Sequence, residues 1–275
     1  MLEYWGGGSE HPRTVHWSDL FSVSDDFRYP LNLRPGDASA FFSATSDGDA
    51  ILAERRHWIA SAPSQHLGFL PEAEDALAEA VTFAGLTRTD GTGGLGLVAD
   101  LGRTLEPDFL LLIGPMLHVV AGCVCFPSMW APEEKFGLPL ASVHAPVPGL
   151  NEQLGKHLER FFAQLKPGAS WARTNWGLSR SAELNQHPGR NLPRLTAEVS
   201  PQDVWLRVEH QSLFRLPGTG AVLFGIRIEN VSLAHVRAHP QAGPGLAHQL
   251  ATMPAATVAY KGLASAKERI LELLA

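Results

Sequence analysis

Two stretches in the last third of the chain alternate apolar and polar side chains with a period of two, the pattern of half-buried strands. In Val204–Leu216, Val204, Leu206 and Val208 point one way, while Arg207, Glu209, Gln211 and Arg215 point the other. In Ala221–Val231, Val222, Phe224, Ile226 and Ile228 alternate with Arg227 and Glu229. Pro217-Gly-Thr-Gly220 joins the two as a turn. Two earlier apolar runs, Leu105–Leu112 and Leu117–Phe126, are split by Gly114-Pro115 and predict a second hairpin. SWARTNWGL, residues 170–178, predicts a further strand, with Arg173 and Asn175 on one face and Trp176 on the other.

A helical period takes over elsewhere. Leu150, Leu154, Leu158, Phe161, Phe162 and Leu165 fall on one face of a helix that Pro167-Gly168 stops. Ala73, Ala76, Leu77, Ala80, Val81 and Ala84 predict a helix over Pro71–Gly85, with Pro71 in the first turn and Gly85 at the end. Glu72, Glu74 and Asp75 sit where the helix dipole favours acids. Short helices are predicted over 232–238, 243–252 and 264–274, and residues 49–60 fit either a short helix or a strand plus a helix. Residues 1–26 read as a loosely packed arm, Phe27–Pro35 as an aromatic, basic and proline-punctuated segment, and 179–203 as a loop. Asp90–Gly96, DGTGGLG, is glycine-rich but reads as a loop, not a phosphate cradle, since no convincing helix follows it. The sum is an α+β fold: an antiparallel sheet with flanking helices and N- and C-terminal extensions. It divides into an extension over 1–104, a core over 105–262 and a C-terminal helix over 263–275, forming one structural unit.

Composition narrows the function. The chain has 275 residues, of which 45% are hydrophobic and 18% charged, so a sizeable core is expected and disorder is not. The formal net charge of −6 and the lack of a Lys/Arg stripe argue against a nucleic-acid partner. No apolar run reaches membrane-spanning length. The start, MLEYWGGGSEHPR, lacks the basic beginning and apolar core of a secretory signal, so a cytoplasmic location is expected. The two cysteines, Cys123 and Cys125, share one side of a strand without disulfide geometry and read as small buried residues lacking an electropositive neighbour.

The candidate chemistry centres on Gly122–Gly149, where an apolar strand breaks at Pro127 and the segment ends on His144 before Pro146 and Pro148. Proline restricts the backbone around it, which suits a histidine that must be aimed. His144 fits an axial haem ligand or a hydrogen-bonded loop histidine. Arg207, Glu209, Gln211 and Arg215 form either a solvated sheet face or a polar pocket wall in which Glu209 takes a proton from an amine. Arg173 and Asn175 fit a haem propionate or substrate contact, or a surface strand. Met129, Trp130 and Phe136 read as core.

Taken together, Cys125-Phe-Pro-Ser-Met-Trp130, Glu134-Lys135, Val143-His-Ala-Pro-Val-Pro-Gly149, Arg173-Thr-Asn-Trp176, Leu206-Arg-Val-Glu209 with Gln211, Arg215-Leu-Pro217, Val222-Leu-Phe-Gly-Ile-Arg227 and Tyr260-Lys-Gly262 occur in an order that resembles the haem-dependent oxidative N-demethylase α-subunit family. The likeness runs from Leu105 to Gly262; before that, only Phe27–Pro35 corresponds. It implies a haem-binding Per-ARNT-Sim (PAS) fold that binds haem b and oxidises a small secondary amine such as dimethylamine. Oxygen is the oxidant, and electrons come from NADPH. FMN, a 2Fe-2S centre and tetrahydrofolate are implied on partner reductase chains. His144 is implied as the iron ligand. Trp130, Lys135, Arg173 and Asn175 are implied as cofactor contacts, and Arg207, Glu209, Gln211 and Arg215 as the catalytic wall. Pro107, His210 and Gly177 depart from the family's usual pattern and bear on which amine fits. A haem gas or redox sensor, or a PAS-like domain binding another ligand, is the alternative.

Overall fold

A computed structural model describes residues 17–21, 23–86 and 93–275. Among these described residues, seven antiparallel strands form one sheet: β1 (Arg34–Pro35), β2 (Leu67–Phe69), β3 (Asp108–Ile113), β4 (His118–Cys123), β5 (Ser170–Ser179), β6 (Trp205–Arg215) and β7 (Val222–Ser232), in the order β1-β5-β6-β7-β3-β4-β2. Twelve α-helices of the described residues flank it: α1 (Trp17–Leu20), α2 (Ala38–Phe42), α3 (Gly48–Ser61), α4 (Pro63–His66), α5 (Glu74–Phe83), α6 (Leu95–Thr104), α7 (Leu140–His144), α8 (Leu150–Gln164), α9 (Leu233–Ala238), α10 (Ala242–Thr252), α11 (Ala255–Tyr260) and α12 (Lys267–Leu274). The fold is α+β, as the alternation predicts.

The β6–β7 hairpin is the spine, paired without interruption from Trp205↔Ser232 to Arg215↔Val222. The register puts Arg173 opposite Gln211 and Asn175 opposite Glu209, so these four side chains share what we call the front face. Trp176, Leu178, Leu206 and Val208 lie on the back face in one core with Leu246, Leu250 and Ile270 of the C-terminal helices. A second core behind β3 and β4 joins Phe109, Leu111, Ala121 and Cys123 to α2, α3, α5 and α6. Gly225 admits the rings of Phe41 and Phe42 there; a Cβ would lie 2.6 Å from both. The front face has its own core, in which Leu110, Leu112, Val119, Leu213 and Val222 meet Phe162 and Leu165, with Trp130, Leu140 and Val143 packed against it.

Several sequence expectations change. Met129, read as core, is 39% exposed, and Leu20 and Phe21 of the expected loose arm are buried in the back core. Residues 49–60 form one continuous helix, α3. A helix, α6, does follow the glycine-rich stretch: Gly94 at φ +55° opens it, and Leu97, Val98 and Leu101 are buried. Asp90–Thr92 of that stretch fall outside the described residues. The cysteines do have an electropositive neighbour. Arg55, fully buried on α3, ion-pairs with Asp108 and donates to the Cys123 sulfur at 3.3 Å. The two sulfurs are 3.7 Å apart, and both thiols are free. The bond with Cys123, then burial, pushes the Cys125 thiol up; burial alone would raise Cys123, but the bond with Cys125 and the charge of Arg55 bring it below the usual thiol range.

Candidate functional site

The front face differs from the back face in how fully it is covered. On β5, the back-facing Thr174, Trp176 and Leu178 are buried, while the front-facing Trp171, Arg173, Asn175 and Gly177 are only half-buried. Across from them, the apolar stripe of α8 behaves the same way: Leu150, Leu154, Leu158 and Phe161 are half-buried. A stripe of this kind normally closes onto a core. Here it is only half-covered on the side that faces β5.

Glu209 is the hub of the polar side chains on the front face. Its Oε1 accepts from the Ser128 hydroxyl at 2.6 Å, and its Oε2 accepts from Gln211 Nε2 at 2.8 Å and Asn175 Nδ2 at 3.3 Å. An ionised carboxylate offers about four acceptor positions, so one remains. Ser128 is oriented in turn: its oxygen accepts from Arg207 Nε at 2.8 Å, which directs its one proton to Glu209. The Arg207 guanidinium also donates to the carbonyls of Phe126 at 2.8 Å, Leu184 at 2.6 Å and Glu183 at 3.2 Å. It is therefore a tie between β6 and the 126–128 and 183–184 segments, and burial lowers its pKa to about 10. Met129, at φ +64°, holds a left-handed conformation beside Ser128, and its N–H donates to Gln186 O at 3.2 Å. That anchor fixes the bend carrying Ser128.

His144 ends α7, held by the bond from Leu140 N–H to Met116 O and followed by a turn from Val147 N–H to His144 O. Burial, then the charge of Arg173, pushes its ring down to about 4, so it is neutral at pH 7 with a lone pair to offer. Its Nδ1 is buried with no hydrogen-bond partner. Arg173 donates from Nη2 to Pro30 O at 3.1 Å and leaves Nε without a partner; burial lowers its pKa, opposed by Glu209. Gln211, 6% exposed, leaves Oε1 without one.

Other expected residues stand farther off. Arg215 shares the front face but lies six residues along β6 from Glu209, roughly 20 Å at strand rise, and donates to Phe162 O at 3.0 Å. Its Nε also lacks a partner. Trp130 packs against the front core. Lys135, 3.6 Å from Glu134, belongs to the segment that pairs with the far strand β4 through Gly137 and Leu138.

Sequence reasoning missed Ser128 and Lys261 as site residues, although both lie inside the motifs quoted above. Lys261 Nζ donates to Trp176 O at 2.9 Å and sits 5.2 Å from the Trp176 ring centre. Burial lowers its pKa, and Glu209 opposes the shift. A second buried pair, His66 and His187, is satisfied: His66 Nδ1 meets Val124 O at 2.8 Å, and His187 Nε2 meets Glu133 at 3.1 Å. Among the described residues, no three His, Cys, Asp or Glu side chains converge to hold a bare metal ion, and no helix is long and apolar enough to cross a membrane.

Residues 94–271 match the family described as haem-dependent oxidative N-demethylase, alpha subunit-like. The chain belongs to that family. The match takes in α6, β3 to β7, His144 and every front-face residue named above. It leaves out Phe27–Pro35, which also touches the site.

Proposed function

We propose that this chain is the haem-bearing, amine-oxidising component of a multi-chain oxidase, with the haem between α7–α8 and the front face of β5–β6. The observation that carries this reading is the set of buried polar atoms without partners on that face: His144 Nδ1, Arg173 Nε and Gln211 Oε1. Buried polar atoms in native proteins are paired, and those left over mark a missing ligand or water. Their types fit haem: a neutral imidazole for the iron and a guanidinium for an anionic edge. The half-buried apolar stripe of α8 supplies the wall such a flat group needs.

Bound there, haem supplies the oxygen activation and electron transfer that side chains cannot. The rest falls to the chain. His144 is the iron ligand, kept unprotonated by burial and Arg173. Arg173 faces propionate or developing negative charge. Glu209 receives the amine: three neutral donors hold its carboxylate in one rotamer, and its open lone pair takes an ammonium N–H or the proton released on oxidation. Gln211 Oε1 offers a second acceptor. Arg207 acts through Ser128, its own donors being spent on carbonyls. Arg215 and Lys135 serve the periphery. FMN, iron–sulfur and folate chemistry belong to partner subunits, and the substrate is a small secondary amine.

The test is an absorption spectrum of the haem-loaded protein, wild type beside His144→Ala, followed by oxygen uptake with dimethylamine, NADPH and a reductase. A Soret band that collapses or shifts in the variant, with amine-dependent oxygen uptake by the wild type, is expected. A band unchanged by the substitution moves the ligand away from His144. Haem binding without amine turnover reduces the chain to a sensor. No band in the wild type ends the haem reading.

A further inference from the structure

The segment that flanks the site's outer edge comes from outside the matched residues. Phe27–Pro35 runs along β5 and is tied at several points. The Phe27 N–H donates to Thr252 Oγ1 at 2.9 Å. The Tyr29 hydroxyl donates to Pro148 O at 2.9 Å, so the Thr257 hydroxyl, 3.2 Å away, donates to Tyr29. Pro30 O accepts from Arg173 at 3.1 Å. Asn32 Nδ2 donates to the carbonyl and hydroxyl of Thr174 at 3.1 and 2.9 Å. Arg34 and Pro35 then pair with Ala172 and Trp171 as β1.

Two of these ties reach the candidate site directly. Pro148 closes the stretch that follows His144, in which Pro146 and Pro148 have no N–H to give. That stretch is otherwise held by short local turns, Val147 N–H to His144 O and Leu150 N–H to Val147 O. Tyr29 links it to α11 through Thr257. Pro30 fixes one nitrogen of Arg173, the charge that bears on His144. A phenylalanine at 29 would fill the same volume, so the hydroxyl is needed only for these bonds.

We propose that Tyr29 and Pro30 are positioning residues of the site: the Phe27–Pro35 strap holds the His144 loop and the Arg173 guanidinium in register against the front face. The claim rests on reading that face as the haem site, and it makes a segment outside the matched residues part of the working unit. The strap acts on the ligand only through His144 and Arg173.

The experiment uses the full chain as wild type, Tyr29→Phe, and Arg28→Ala as a control. Arg28 lies on the same strap with its side chain 75% exposed. Amide exchange over residues 140–153 is measured without haem. The Soret maximum and the rate of haem loss to excess apomyoglobin are measured with it. One net hydrogen bond corresponds to about tenfold, so Tyr29→Phe is expected to speed exchange in 140–153 and haem loss each by about that factor. Arg28→Ala leaves both unchanged. If Tyr29→Phe does not fold, Thr257→Val replaces it: it removes the hydroxyl that steers the Tyr29 proton to Pro148 O and is expected to speed both processes by a smaller factor. Unchanged exchange overturns the strap whether or not haem binds. Faster exchange with an unchanged Soret maximum and haem-loss rate overturns the positioning role and leaves Tyr29 a structural tie. If the wild type takes up no haem, the proposed function falls, and exchange over 140–153 alone decides whether the strap holds the His144 loop.

Discussion

Replacing Ser128 by alanine takes a shared partner from two charged groups at once. The hydroxyl donates to Glu209 at 2.6 Å and accepts from Arg207 at 2.8 Å. A hydrogen bond to a charged group contributes about 1.5–3 kcal/mol net. The two losses do not add in full, because Arg207 keeps the carbonyls of Phe126 and Leu184, and Glu209 keeps Gln211 and Asn175. We expect a loss of about 2 kcal/mol, or roughly 4–8 °C in Tm for a chain of this size. The diagnostic quantity is the coupling between Ser128 and Glu209. Urea unfolding of wild type, Ser128→Ala, Glu209→Ala and the double variant closes a cycle in which a coupling of about 1–2 kcal/mol is expected. Additivity within about 0.3 kcal/mol means that the serine does not hold the carboxylate, and the ordering of the site by Arg207 through Ser128 then fails.

Two other expectations follow from the buried charges. His144 is pushed down to about 4 in the folded chain, chiefly by burial and then by Arg173. Between about pH 6.5 and 4 the unfolded chain therefore binds the extra proton, and stability without haem falls as the pH drops through that window. The penalty is absent at pH 7 and reaches roughly 3 kcal/mol below pH 4. Urea midpoints at pH 7 and pH 4.5 check this, and an equal acid loss in His144→Ala would refute it. Arg55→Ala strands the Asp108 carboxylate in the core with two backbone donors, Cys125 N–H at 2.7 Å and Phe126 N–H at 2.9 Å. It should cost about 3–5 kcal/mol, measured by the same unfolding assay, and a cost under about 1 kcal/mol would contradict the pair's role.

Much of the sheet was legible because strand alternation is local. Facing relations among Arg207, Glu209, Gln211 and Arg215, and between Arg173 and Asn175, follow from a period of two once β5 and β6 are recognised. The long helix α8 was legible for the same reason at a period of 3.6. What escaped is what depends on distant chain. The helix α3 buries Arg55 beside Ile59, and a buried arginine spoils the apolar stripe that marks a helix. In α6 two residues of the first turns are Leu95 and Gly96, with the glycine a poor helix former, so the pattern is weak. Strand β2 has three residues and α7 five, too few to show any period. Ser128 meets a carboxylate 81 residues away, Arg55 meets a sulfur 68 residues away, and Tyr29 meets a carbonyl 119 residues away. No local pattern encodes such partners. The cysteine environment was misjudged for that reason.

The balance of charge on the front face ties these observations together. Burial lowers the pKa of Arg173, Arg207 and Lys261; Glu209 opposes the shift in each, joined at Arg207 by Asp108 and Glu54. Buried charge is tolerated only when it is paired or hydrogen-bonded. Arg207 and Lys261 meet part of that need with backbone carbonyls. Arg173 has one such carbonyl and an unused Nε. That unused nitrogen lies beside a neutral imidazole and near a half-covered apolar helix. On the proposed reading the haem propionates pair with it. Glu209 is then released from balancing the arginines and is free to face the amine. On that reading the same carboxylate balances cations in the empty site and faces the amine in the loaded one, and its anchoring by Ser128, Asn175 and Gln211 serves both.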